Sequence, residues 1–131
     1  MSRPAHSRLH LLVIGAALTA FVACDSSQPK PAVGGGPVPA DLQAGEAKFN
    51  ANCAACHGRE GVGTQQGPPL VHKIYEPNHH GDAAFQRAAA NGVKAHHWEF
   101  GNMPKIDAVT PADVDQIIQY VRWLQRQAGI S

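Results

Sequence analysis

The sequence predicts a small all-α domain over residues 41–131, and three observations point there. Three segments carry apolar residues at helical spacing, no segment shows a convincing strand alternation, and residues 53–57 read Cys-Ala-Ala-Cys-His. The first helix is expected from about Asp41 to Ala55. Asp41 is its candidate N-cap, and Leu42, Gly45 and Phe49 fall three or four apart on one face. The second is expected from Asp82 to Asn91. Asp82 is the candidate cap, Phe85, Ala88 and Ala89 form the stripe, and Gly92 ends it. The third is expected from Thr110 to Gln127. Thr110 and Asp113 resemble a capping box with Asp in place of Glu, and Pro111 occupies the first helical position. Ile117, Tyr120, Val121 and Leu124 make its buried stripe, and Trp123 widens or flanks it.

The five residues 53–57 carry the chemistry. One helical turn brings two thiols, Cys53 and Cys56, and the imidazole of His57 to one edge of a flat macrocycle. A C-x-x-C-H run at this spacing is the attachment signal for a c-type haem: each thiol adds to one vinyl group and the imidazole meets the iron. The competing readings are a redox dithiol and a zinc half-site. There is no second cysteine pair for zinc and no visible strand–helix setting for a thioredoxin-like site.

With those two thiols used, the third cysteine, Cys24, needs its own account. Arg3 and Arg8 precede an apolar run at 11–23, short for a bilayer span and suited to a signal-peptide core. Phe21-Val22-Ala23-Cys24 resembles a bacterial lipobox, which implies cleavage before Cys24 and a lipid on the new N-terminus. An ordinary secretory signal cut nearby, with Cys24 a free thiol, is the alternative. Asp25 resembles the residue that accompanies inner-membrane retention, so the expected location is the periplasmic face of that membrane. Residues 24–40 then comprise the lipidated Cys24 and a Pro/Gly/Ser-rich tether. Its sixteen residues after Cys24 would span roughly 20–25 Å.

Formal charge is +1 for the whole chain, so nothing implies a nucleic-acid partner. Loss of residues 1–23 removes Arg3 and Arg8 and no acid, which leaves the mature chain near −1 before any haem carboxylates are counted. Long-range steering is therefore modest, and docking on a partner must rely on local patches.

The mature chain has one methionine, Met103, in Gly-Asn-Met-Pro just before the last helix. A loop methionine is often a core filler. Here its flanking Gly and Pro favour a fixed loop that presents one side chain, and a thioether is the usual partner of histidine on electron-transferring haem. Taken together, the helix carrying Gly45 and Phe49, CAACH, Gly67-Pro68-Pro69-Leu70, the NMP at 102–104 and the helix carrying Tyr120 resemble a bacterial class I, mono-haem cytochrome c over residues 41–128. The resemblance implies three to five helices wrapped around one covalent haem c. It implies His57 and Met103 as axial ligands, a Pro68 carbonyl bonded to His57 Nδ1, Leu70 against the haem, and Gly45 and Phe49 at a close crossing of first and last helices.

Five further histidines, His72, His79, His80, His96 and His97, lie between the proposed ligands. They read as ordinary loop histidines, as a second metal site suited to copper or zinc, or as a source of a replacement for Met103 on the iron. Trp98 and Phe100 beside them read as haem-pocket packing. No nucleophile or acid–base constellation is present. The expected function is a membrane-tethered electron carrier between redox proteins such as an oxidase, a reductase or a dehydrogenase. The alternatives are a docked haem subunit of a larger complex, and a ligand-binding haem enzyme, peroxidase-like or binding NO or CO, with a labile methionine.

Overall fold

The computed structural model describes residues 36–131. The lipobox, Cys24 and most of the expected tether lie outside the described residues. Among the described residues no helix is long and apolar enough to cross a membrane. The order is a 3₁₀ turn (Ala40–Leu42), α1 (Gln43–Asn52), α2 (Ala54–His57), a 3₁₀ turn (Arg59–Gly61), a 3₁₀ turn (Lys73–Tyr75), α3 (Asp82–Asn91) and α4 (Pro111–Gln127). The fold is all-α, as expected, with a single antiparallel bridge among the described residues, between Val93 and Met103.

Three helix starts can be compared with expectation. Asp41 does not cap α1. It lies inside the preceding 3₁₀ turn, where the Leu42 N–H already donates to the Pro39 carbonyl, and no side chain caps either element. Asp82 does not cap α3 either. Gly81 is the cap position and Asp82 is the first helical residue, where its charge still suits the helix dipole while its carboxylate is drawn to Arg122. The α4 start matches. Asp113 N–H donates to Thr110 Oγ1 at 3.2 Å, Thr110 N–H donates to Asp113 Oδ2 at 2.9 Å, and Pro111 follows the cap. The end of α3 matches too, with Gly92 at φ +75°.

The first expected helix is two. It breaks at Cys53, which leaves α-helical geometry (φ −121°, ψ −35°) before the chain re-enters a single turn at Ala54. The body also begins slightly before Asp41, since Val38 packs on the core.

The core sits where α1 crosses α4. Phe49, Tyr120, Val121 and Leu124 are essentially sealed from solvent, and Ile117 and Leu70 complete the cluster. Burying each such side chain contributes about 1.5–3 kcal/mol. The Phe49 and Tyr120 rings meet at 5.6 Å, tilted by 57°. Gly45 makes the crossing possible: a Cβ there would stand 2.1 Å from the Gln116 carbonyl oxygen.

Two polar devices tie the other elements to α4. At its start, Lys48 Nζ contacts Asp113 Oδ1 at 2.6 Å and donates to Gln116 at the same distance. Gln86 of α3 donates to the Pro111 carbonyl and to Asp115. At the far end, buried Arg122 donates to the carbonyls of Tyr75 (2.6 Å) and His80 (2.5 Å), to Asp82 (2.9 Å) and to Gln125 (2.7 Å). Buried Gln125 in turn donates to the carbonyls of Leu70 and Tyr75. These two side chains satisfy carbonyls of an irregular segment that has few backbone partners of its own.

The Lys48 ammonium, the Thr110 hydroxyl and the Thr110 N–H hold the Asp113 carboxyl well below the usual carboxylate range. A depressed folded value means that the stabilisation is complete above the unfolded carboxylate pKa of about 4 and is lost as pH falls toward and through the folded value. We therefore expect Asp113→Asn to lower stability most near neutral pH and to converge on the parent as pH falls, which flattens the acid side of the stability–pH curve. Urea unfolding across that range checks it, and parallel curves for the two proteins would contradict it.

Candidate functional site

The Cys-x-x-Cys-His turn is assembled at the end of α1. Phe49 accepts the Cys53 N–H through its carbonyl (2.8 Å), and Cys53 accepts the His57 N–H (2.9 Å). The break at Cys53 thus lets one separate turn carry Cys56 and His57. Cys53 is half-buried, Cys56 is exposed, and the two thiols are not joined in a disulfide.

The loop after the turn folds back over it. Gly58 has φ +74°, and a Cβ there would meet the Gly63 carbonyl oxygen at 2.5 Å. Gly63 N–H donates to the His57 carbonyl (2.6 Å), and the Thr64 hydroxyl donates to the Cys56 carbonyl (2.6 Å). These bonds satisfy carbonyls at the end of a very short helix. The returning strand of the loop passes so close that a Cβ on Gly67 would lie 2.9 Å from the Cys56 carbonyl oxygen. It brings the Pro68 carbonyl to 2.9 Å from His57 Nδ1.

That contact orients the ring. With Nδ1–H donating to Pro68, Nε2 is the nitrogen left with its lone pair free. His57 is buried, and burial pushes its pKa below the ordinary histidine value, partly opposed by the Pro68 bond. The imidazole is therefore neutral at neutral pH, the form that ligates metals. Burial, with the neighbouring Cys56 adding, pushes the Cys53 thiol up to about 11. A redox dithiol depends on a depressed thiol, so this shift runs against that reading.

Leu70 is buried in the main core cluster, and its N–H and carbonyl are held by Gly61 and Gln125. Met103 is half-buried and held by its backbone: its N–H and carbonyl both pair with Val93 at 2.9 Å. Gly92 allows this, because a Cβ there would lie 2.5 Å from the Met103 carbonyl oxygen. The bridge was not legible as a strand, since a single residue pair leaves no alternation to read.

Trp98 is half-buried with its ring on His72 at 5.1 Å, whereas Phe100 is 40% exposed. The Trp98 indole N–H is buried with no hydrogen-bond partner among the described residues. The Tyr75 hydroxyl faces it, and burial raises the Tyr75 pKa against the opposing effect of the Trp98 N–H.

The histidines do not act as one group. His72 accepts the Ile74 N–H and stands apart on Trp98. His79, His80 and His97 converge, with ligating nitrogens all within 4.8 Å of one another, and His96 stacks beside them. The supporting residues Arg122 and Gln125 were missed by sequence reasoning. Their only signal is that two long polar side chains sit beside the apolar stripe of α4, three residues apart.

Comparison with known proteins decides the family. The family described as cytochrome c matches residues 42–125, which contain the whole of this site. The chain belongs to the cytochrome c family. This cytochrome binds haem c covalently. Among solved structures it is similar to the c-type cytochrome XoxG from Methylobacterium extorquens AM1, at 21% identity and a TM-score of 0.53, over 67% of this chain and 52% of that one. A second neighbour is cytochrome CL from the marine methylotroph Methylophaga aminisulfidivorans MPT, at 21% identity and a TM-score of 0.45, over 70% and 66% of the two chains. The cytochrome thus spans about half the length of the first and about two thirds of the second. No match was found among curated proteins.

The residues present fit haem c. Two unpaired thiols precede, within one turn, a neutral imidazole with one free ring nitrogen, the donor set that this group needs.

Proposed function

We propose that this cytochrome is a membrane-tethered, periplasm-facing one-electron carrier whose iron is held between His57 and Met103. The observation that carries the ligand assignment is the His57–Pro68 contact at 2.9 Å, which fixes a buried imidazole on the turn that bears both thiols. Cys53 and Cys56 hold the haem in thioether linkage. Met103 supplies the second ligand from a segment whose backbone is clamped to Val93. When bound, the haem supplies an iron that alternates between ferric and ferrous states.

The chain's own contribution is to keep both ligands in place in both states. The Pro68 bond holds the imidazole against rotation, and the Val93 bridge holds the methionine segment. Little then reorganises on electron transfer. Ala55 and Cys56 are exposed, so the thioether edge is the one offered to a partner. The lipobox-like 21–24 and the Pro/Gly-rich stretch after it support attachment through Cys24, with Asp25 favouring the inner membrane.

The visible spectrum of the haem-loaded protein tests the ligand set. We expect a near-red sulfur-to-iron charge-transfer band in the oxidised form and no change when carbon monoxide is added to the reduced form. Absence of the band with ready CO binding would reject the His57/Met103 site and favour a ligand-binding haem protein.

A further inference from the structure

His79 and His80 end one irregular segment, and His97 comes from another, yet their rings gather on one surface. Ring centroids are 4.7 Å apart for His79 and His80, 5.2 Å for His79 and His97, and 5.1 Å for His80 and His97. The two Nε2 atoms of His79 and His97 lie 3.3 Å apart. Both arms are pinned from behind. His80 carries its ring on a bond from Nδ1 to the Ile74 carbonyl (2.7 Å), and its own carbonyl accepts from Arg122. The other arm is held by Ala95 N–H donating to Asn102 (3.0 Å) and by His96 Nδ1 bonding the Lys94 carbonyl (2.8 Å).

Such crowding is unfavourable for histidines that serve only as solvated surface groups. Each would add charge beside the others on protonation. Slight desolvation and then the neighbouring His96, His80 and His79 push the His97 pKa below the ordinary value, which favours the neutral ring. The His80 bond to Ile74 has a second effect: with Nδ1–H donating, Nε2 is left as the ligating nitrogen. A carbonyl bonded to the far nitrogen is the usual way a ligating imidazole is oriented.

We propose that His79, His80 and His97 form a surface site for one borderline divalent cation, Zn²⁺ or Cu²⁺, separate from the haem iron. Nitrogens bound about 2.0–2.1 Å from a tetrahedral zinc stand roughly 3.3–3.4 Å apart, the separation already present between His79 and His97. The third nitrogen is within 4.8 Å of the others and needs only a side-chain adjustment to close. Three neutral imidazoles select copper or zinc over calcium or magnesium, and copper binds the more tightly of the two. A fourth position is left for water. The proposal does not depend on the His57/Met103 assignment.

The test uses haem-loaded protein purified without a polyhistidine tag and stripped with EDTA. Titration with ZnCl₂ by calorimetry at neutral pH is expected to show one saturable equivalent. The double variant His79→Ala/His97→Ala should weaken that binding by about tenfold or more. His72→Asn, which keeps an acceptor for the Ile74 N–H, should bind as the wild type does. With CuSO₄, electron paramagnetic resonance should show splitting from imidazole nitrogens that is lost in the double variant. No saturable binding to the wild type, or equal binding by the double variant, overturns the site. So does a changed haem spectrum in the double variant, which would place one of these imidazoles on the iron instead.

Discussion

Replacing both thiols, Cys53→Ser with Cys56→Ser, is expected to abolish covalent haem. Haem staining after a denaturing gel should fall to background, where the unsubstituted protein keeps a stained band. The reason is that a hydroxyl cannot form the thioether, and no other cysteine is near the turn among the described residues. The loss should extend beyond the cofactor. A domain of this size buries a limited core, and a large apolar group bonded to it contributes much of the buried surface. Non-covalent ligation through His57 and Met103 would leave haem in equilibrium with solvent, so helicity should fall as haem is lost. Each single variant keeps one attachment point and should retain part of the stain. Full staining of the double variant would mean that attachment lies elsewhere.

The second large effect concerns packing rather than chemistry. Gly45→Ala should destabilise the domain by about 3 kcal/mol or more. Alanine raises helix propensity by about 1 kcal/mol over glycine, so propensity alone predicts the opposite sign. The clash wins because the new Cβ would stand 2.1 Å from the Gln116 carbonyl oxygen, 2.8 Å from its carbon and 3.2 Å from Tyr120 Cβ. Two of these are backbone atoms of α4, which cannot rotate away. The helices must separate, and the Phe49–Tyr120 contact opens with them. For a domain whose total stability is about 5–10 kcal/mol, this is a large share. It corresponds to a fall in melting temperature of roughly 12–24 °C. Thermal unfolding followed by circular dichroism measures it. Gly36→Ala, where a Cβ meets nothing within 4 Å, serves as the control. Equal melting temperatures for Gly45→Ala and the parent would show that α1 and α4 do not cross as closely as described.

Much of the fold was legible because local chemistry and tertiary packing agree. The α4 start is an example: Thr110, Pro111 and Asp113 suit a helix N-terminus whatever they pack against, and the structure uses them that way. The misreadings have a common cause. Asp41 and Asp82 are good caps in isolation. A Pro39 carbonyl displaced the first into a 3₁₀ turn, and Arg122, forty positions away, drew the second. The break of the first helix at Cys53 was hidden by the alanines at 51, 54 and 55, which favour an unbroken helix and outweigh the weak signal of Asn52.

The sequence alone therefore determined the all-α class, the family resemblance and the attachment motif, since these rest on residue type and short spacing. A thiol three positions from another thiol and next to a histidine keeps that relation in any helical turn. Only the tertiary structure decided how the long segment between His57 and α4 is held. There, backbone carbonyls with no regular partners accept from Arg122, Gln125 and, at Pro68, from His57 Nδ1–H, while Val93 and Met103 pair with each other. Such bonds join residues far apart in the chain and follow no period. For the same reason five histidines spread through that segment could not be sorted beforehand, while the folded chain brings three of them within 4.8 Å and leaves His72 on Trp98.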